Sequence, residues 1–167
     1  MRPRSKSCLR NMDNAQAADM FFELADLLDL AGELPFKAAA YRKVALSLQR
    51  LGVPLGEIVA TGKYDKIPGA GRAIREKLAN IVATGKLPAL DKWREHKMAD
   101  FYPWLDLMKI RPRPLGLLAG KLGATEMKEL IIKLRDYNLK ALTGQVKETA
   151  EKIIENENRL AKRLPEG

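Results

Sequence analysis

The stretch Ile67-Pro68-Gly69-Ala70-Gly71, running directly into an amphipathic segment from Arg72, constrains this chain more than any other. Two glycines one residue apart, behind a proline and ahead of a helical pattern, read as a hairpin between two helices. Glycine admits backbone angles closed to other residues and lets the chain approach a ligand closely. The first N–H groups of the following helix have no intrahelical acceptor and point outward, so a helix start of this kind is an anion site. The flanking residues Lys66, Arg72, Arg75 and Lys77 are cationic, with neither a preceding strand nor a Walker lysine. The expected anion is therefore a nucleic-acid backbone phosphate rather than a nucleotide. A plain turn between packed helices would satisfy the same Gly-x-Gly spacing.

At 167 residues the chain is long enough for one ordinary domain or two small helical ones, and 46% apolar content suffices for a buried core. The net charge of +9 is unevenly placed: Asn14 to Leu34 carries acidic charges only, whereas Pro35 to Lys97 holds 13 Lys and Arg against 5 Asp and Glu. The surplus is local to the hairpin, as on a polyanion-binding face. Cys8 is the only cysteine, which excludes an intrachain disulfide and a cysteine-based zinc site and makes a reducing compartment the expectation. His96, the only histidine, stands among charged residues without partner ligands and reads as a surface residue with no metal or acid–base role. No apolar run approaches the roughly 18 to 20 residues of a membrane span. Arg2, Arg4, Lys6 and Arg10 have no apolar signal core behind them. The expectation is a soluble, cytoplasmic protein, nucleoid-associated in a bacterium or archaeon. Residues 1–13 read as a basic, disordered arm, or as an overextended start ahead of Met12.

Helical periodicity runs throughout. From Asn14, read as an N-cap, Ala17, Phe21, Leu24 and Leu28 recur at helical spacing until Gly32. A second helix follows Pro35 and runs to Gly52, a short one starts at Pro54 and ends at Gly62, and the helix after the hairpin stops at Thr84-Gly85. Leu87 to Trp93 is a further short helix. Composition changes near Lys97 to Asp100, after which helices are expected at Trp104 to Met108, Leu115 to Leu122, Thr125 to Tyr137 and Gly144 to about Arg163. Alternating strand patterns are absent. The predicted fold is all-α: a helix-hairpin-helix DNA-binding domain over residues 14–97, a second small helical subdomain over 98–163, and a tail over 164–167.

The order of a helix, Pro35-Phe36-Lys37-Ala38-Ala39-Ala40-Tyr41-Arg42-Lys43, a short helix, Ile67-Pro68-Gly69-Ala70-Gly71, and a helix ending Ala83-Thr84-Gly85-Lys86 resembles the N-terminal lyase domain of the family X DNA polymerases, the DNA polymerase beta type. The match is close from Ala17 to Trp93 and nearer the bacterial and archaeal members. Beyond Asp100 it continues more faintly into the family's DNA-binding subdomain, where a second hairpin is expected. There Arg111-Pro112-Arg113-Pro114 replaces Pro-Gly-x-Gly, and such a hairpin cannot offer its amides to a phosphate. Leu142-Thr143-Gly144-Gln145-Val146-Lys147 resembles a decayed form of the glycine-rich element preceding the polymerase palm. Neither the palm's Gly-Ser nor its metal-holding carboxylates are legible, so a module without polymerase activity is expected.

The resemblance implies further roles. Lys77 matches the lysine whose amine attacks the aldehyde of a 5′-deoxyribose phosphate and forms a Schiff base; Glu76 matches its acidic neighbour, Tyr41 the tyrosine lining the pocket, and Lys37 the lysine holding the 5′-phosphate. Such chemistry needs a partly neutral amine, which neighbouring cations promote, and Arg72 and Arg75, with Lys37 and Arg42, are near enough to contribute. Two family lysines are Ala73 and Ala89 here, and a DNA-stacking histidine is Phe36, which reduces the phosphate grip. The family hairpin can also hold a sodium or potassium ion, here on the main-chain carbonyls of Asp65, Ile67 and Ala70; no other cofactor is implied. Three functions follow as expectations: a sequence-tolerant binder of gapped, nicked or 5′-phosphorylated DNA in repair, through Lys37, Arg42, Lys66, Gly69, Ala70, Gly71, Arg72 and Arg75; the same binder with Schiff-base lyase activity at Lys77; or an adaptor that recruits a separate repair protein through Phe101 to Leu107 and the last helix.

Overall fold

The structure is a computed structural model that describes residues 13–157; the N-terminal arm, Cys8, the end of the last predicted helix near Arg163 and the tail lie outside the described residues. It is all-helical. In chain order the α-helices are α1 (Asn14–Leu30), α2 (Pro35–Gln49), α3 (Leu55–Thr61), α4 (Arg72–Thr84), α5 (Pro88–Arg94), α6 (Tyr102–Met108), α7 (Pro112–Leu122), α8 (Met127–Arg135) and α9 (Gly144–Glu155). Short 3-10 turns at Tyr64–Lys66, Lys97–Phe101 and Leu139–Ala141 fill intervals that carry too few residues for a legible period. Among the described residues no helix is long and apolar enough to cross a membrane.

Two compact units make up the chain: one takes residues through Ala25 together with Pro35–Arg94, the other Asp26–Leu34 together with everything from Glu95. The division thus falls within α1, and the residues from Asp26 to Leu34 group with the second unit although they precede most of the first in sequence.

In the first unit Phe21 and Leu24 of α1, Val44 and Leu48 of α2, Ile58 of α3 and Leu78 and Ile81 of α4 are buried. Each such side chain contributes about 1.5–3 kcal/mol of burial. Asn14 is not the N-cap that its position suggests. It is the first helical residue, and its side-chain amide donates to the Val53 carbonyl and accepts from the Leu55 N–H, both at 2.8 Å. That pair ties the start of α1 to the loop before α3. Asp13 caps instead, accepting from the Ala15 N–H at 3.2 Å, while its own N–H donates to Gln16 Oε1 at 3.2 Å. This reciprocal arrangement is a capping box one residue earlier than expected. Gly62 and Gly85 close α3 and α4 in the left-handed conformation.

In the second unit α9 packs against α7 and α8. Phe101 is fully buried and Leu105 nearly so, Tyr102 and Trp104 are half-buried, and Leu107 is 46% exposed, so the Phe101 to Leu107 segment anchors two side chains in the core and leaves the rest at the surface. Gly116 of α7 lets the helix lie against the backbone at Leu30, where a Cβ would overlap the Leu30 carbonyl. Asp29, 6% exposed, accepts from Arg113 Nε at 3.3 Å, and Arg113 Nη2 also donates to the Glu33 carbonyl. His96 caps the second 3-10 turn, its Nδ1 accepting from the Met98 N–H at 3.1 Å.

Candidate nucleic-acid interface

α3 packs against α4, and the chain between them is a 3-10 turn followed by the hairpin. Gly69 has φ +90°, a backbone conformation that a side chain rarely adopts, and Gly71 is extended as the N-cap of α4 with φ −74° and ψ 178°. Ile67 and Ala70 turn inward and are buried, so the turn is anchored by two apolar side chains while Pro68, Gly69 and Gly71 stay exposed. Within the turn the Ala70 N–H donates to the Ile67 carbonyl at 3.1 Å, and the Gly71 N–H to that of Gly69 at 3.0 Å. The first α4 amide with an acceptor of this kind is Arg75, which donates to the Gly71 carbonyl at 2.9 Å. Gly71 has no side chain to cap the helix. The N–H groups of Arg72, Ala73 and Ile74 are therefore left at the N-terminus of a helix of 13 residues, with Arg72 and Ala73 exposed. Aligned peptide dipoles add a partial positive charge there.

Cations surround this end. Lys66 is exposed at the close of the 3-10 turn, and Arg72 is almost wholly exposed, with Glu76 at 3.5 Å on the same outer face. Arg75 folds back: its Nε donates to the Ala70 carbonyl at 2.7 Å and its guanidinium lies 5.0 Å over the Tyr64 ring. The aliphatic stem of Lys43 from α2 covers Gly69, with Cδ 3.3 Å from where a Cβ would stand. Lys43 is the hairpin cation that sequence reasoning missed. It stood in a basic run with Lys37 and Arg42, and nothing in the spacing singled it out.

Lys77 is half-buried, but it lies about 140° round α4 from Arg72 and about 160° from Arg75. Neither arginine shares its face, so the electrostatic help expected of them does not reach it; Arg72 faces Glu76 and Arg75 is held on the hairpin. Lys37 is exposed and Arg42 half-buried on α2. Tyr41, half-buried, stacks on Phe21 with ring centroids 5.8 Å apart. Phe36 is 66% exposed. Among the described residues no group of three or more His, Cys, Asp or Glu is placed to hold a metal ion.

The second hairpin lies three residues earlier than Arg111-Pro112-Arg113-Pro114. α6 ends at Met108, Lys109 takes the left-handed conformation with φ 53°, Ile110 is buried, and Arg111 is the extended N-cap of α7. Pro112 and Pro114 then lie inside the first turn of α7, where the missing N–H of proline costs no helical bond.

Residues 12–87 match the helix-hairpin-helix domain family. The DNA polymerase/3′-5′ exonuclease PolX of Bacillus subtilis (strain 168) is 24% identical over 132 residues, which cover 79% of this chain and 23% of that protein. The chain therefore spans less than a quarter of the length of this curated relative. The matched segment holds the uncapped start of α4 with its flanking cations, so residues 12–87 are similar to the helix-hairpin-helix domains, and the chain is similar over most of its length to part of a PolX-type DNA polymerase.

Proposed function

We propose that this chain is a sequence-tolerant module for gapped or 5′-phosphorylated DNA, acting in DNA repair in the cytoplasm and carrying no polymerase activity of its own. The observation that carries the reading is the exposed start of α4, where the amides of Arg72, Ala73 and Ile74 follow a glycine turn ringed by Lys43, Lys66, Arg72 and Arg75. Main-chain donors and cations meet phosphates rather than base edges, so binding positions the strand without reading its sequence. With about three or four phosphate contacts, the log–log salt slope is roughly −3 to −4. A titration of gapped, nicked, single-stranded and intact duplex DNA, each with and without a 5′-phosphate, tests it. The expected result is tightest binding to the gapped, 5′-phosphorylated duplex. Equal affinity for phosphorylated and hydroxyl ends removes the end preference, and no affinity for any of them leaves the adaptor reading.

Schiff-base chemistry at Lys77 is a second reading, favoured by one observation. Glu76 faces Arg72 on the outer side of α4, so the half-buried Lys77 is not the lysine of a surface Glu–Lys pair. Its amine would attack the sugar C1′ aldehyde, lose water to form the imine, and promote β-elimination of the 3′-phosphate. Borohydride trapping on a 5′-deoxyribose-phosphate end is expected for the intact protein and not for Lys77→Ala. Trapping that survives the substitution removes Lys77 from this role.

A further inference from the structure

The family resemblance implies a monovalent cation on the carbonyls of Asp65, Ile67 and Ala70, bridging the hairpin to a phosphate. The donor set does not fit that ion. The Ala70 carbonyl accepts from Arg75 Nε at 2.7 Å, and the Ile67 carbonyl accepts from the Ala70 N–H at 3.1 Å. A guanidinium stays charged at any physiological pH, so a metal ion on the Ala70 oxygen would stand against a fixed positive charge. The cause is local. Arg75 is the fourth residue of α4, and helical side chains lean toward the N-terminus, which brings its guanidinium onto the turn. The ring of Tyr64, from the 3-10 turn, supplies an aromatic face 5.0 Å from Cζ.

We propose that the Arg75 guanidinium takes the place of the cation. It closes the turn through the Ala70 carbonyl and directs Nη1 and Nη2 to the phosphate that the α4 amides receive. The inference rests on the DNA-binding reading above. Only Nε is spent on the Ala70 carbonyl, and the stacking on Tyr64 leaves the planar fork oriented before a ligand arrives. Lysine cannot reproduce this, because a flexible ammonium carries neither the in-plane Nε–H nor the second pair of donors.

The test is the affinity for a gapped, 5′-phosphorylated duplex, read by fluorescence anisotropy at equal ionic strength in potassium, sodium and tetramethylammonium chloride. Tetramethylammonium is too large for a carbonyl cradle. Wild-type affinity is expected to agree within about twofold across the three salts, while Arg75→Ala and Arg75→Lys weaken binding by about tenfold, the loss of one charged hydrogen-bonding group. In Arg75→Ala the salt slope also falls by about 0.9, the share of one phosphate contact. Arg75→Lys, which keeps the charge, is the variant read if Arg75→Ala loses helical circular dichroism. A wild-type preference for potassium or sodium over tetramethylammonium overturns the substitution of guanidinium for ion. Unchanged affinity in both variants, or a weaker Arg75→Ala with an unchanged slope, overturns the phosphate role. A wild type without affinity in any of the salts overturns the DNA-binding reading itself, a result distinct from these.

Discussion

The hairpin before α4 and the one before α7 share a backbone plan built from different residues. In each, a residue with positive φ is followed by a buried apolar residue and then by an extended N-cap: Gly69, Ala70 and Gly71 in the first, Lys109, Ile110 and Arg111 in the second. The plan survives the loss of both glycines because the second turn is held by the end of α6. The Lys109 N–H donates to the Asp106 carbonyl at 3.4 Å and the Ile110 N–H to that of Leu105 at 3.1 Å, a Schellman closure that offsets the roughly 1 kcal/mol cost of a left-handed lysine. What does not survive is the supply of donors. Three amides start α4, whereas Pro112 and Pro114 leave only Arg113 in the first turn of α7, and its side chain is turned to Asp29 and Glu33. The same trace can therefore present an anion site or merely join two helices, and the residues at the first three helical positions decide which.

The largest effect separates the two units. Gly116→Val places a branched side chain where even a Cβ overlaps the Leu30 carbonyl, and is expected to cost the second unit about 3 kcal/mol or more. Thermal melting should then show an early transition, while affinity for gapped DNA below that transition stays near wild type. A parallel loss of affinity would mean that the first hairpin does not bind alone. Next in size is Arg72→Pro, which gives α4 the proline start of α7. Proline suits the first helical position after an extended residue, so helix content is retained. Compared with Arg72→Ala, which removes the same charge, the proline variant lacks one more amide and should bind about tenfold more weakly, the range of a hydrogen bond to a charged group. Equal affinities would show that the cations, not the main chain, hold the phosphate.

Much of this was legible in the residues. The helices ending at Gly62 and Gly85 follow from helical periodicity with glycine stops, and Gly69 and Gly71 marked the turn because few residues other than glycine adopt such angles. Asn14 shows the limit: its side chain satisfies a loop about 40 residues away, a competition invisible to local capping rules. The family resemblance puts the second hairpin's Pro-Gly-x-Gly at Arg111 to Pro114, yet proline is equally at home in a helix's first turn, and a lysine with positive φ gives no sign in sequence. Lys43 and the fold-back of Arg75 depend on which elements pack together. Residue spacing suggested that Arg75 helps Lys77; the helical angle between them and the pull of Tyr64 place it on the hairpin instead.

A smaller and opposite pair of changes tests the shared plan. Gly69→Ala puts a Cβ at φ +90° and 3.3 Å from Lys43 Cδ, and should destabilise the first unit by about 1–3 kcal/mol. Lys109→Gly relieves the left-handed lysine and, less the added freedom of the unfolded chain, should change stability by no more than about 1 kcal/mol. Chemical denaturation measures both. If both substitutions destabilise alike, the second turn draws on the Lys109 side chain as well as on its backbone.

The smallest effect concerns that side chain. Lys109 Nζ donates to Asp106 Oδ1 at 2.8 Å, and this hydrogen bond, with the attraction between the charges, holds the Asp106 carboxyl below its ordinary value. Glu129 is lowered in the same way by Lys133 and the Thr125 N–H. A depressed carboxyl contributes stability that is complete above its unfolded value of about 4 and is lost as the pH falls through the lower folded one. Asp106 is exposed and Glu129 partly so, and water and salt reach both pairs, so the contribution is small. Carboxyl carbon shifts followed by NMR between neutral and strongly acidic pH should place the Asp106 midpoint below that of a free aspartate, and Lys109→Gly should restore it. The C-terminal end of α6 carries partial negative charge and would raise this carboxyl, so a midpoint that stays low in the variant removes Lys109 as its cause.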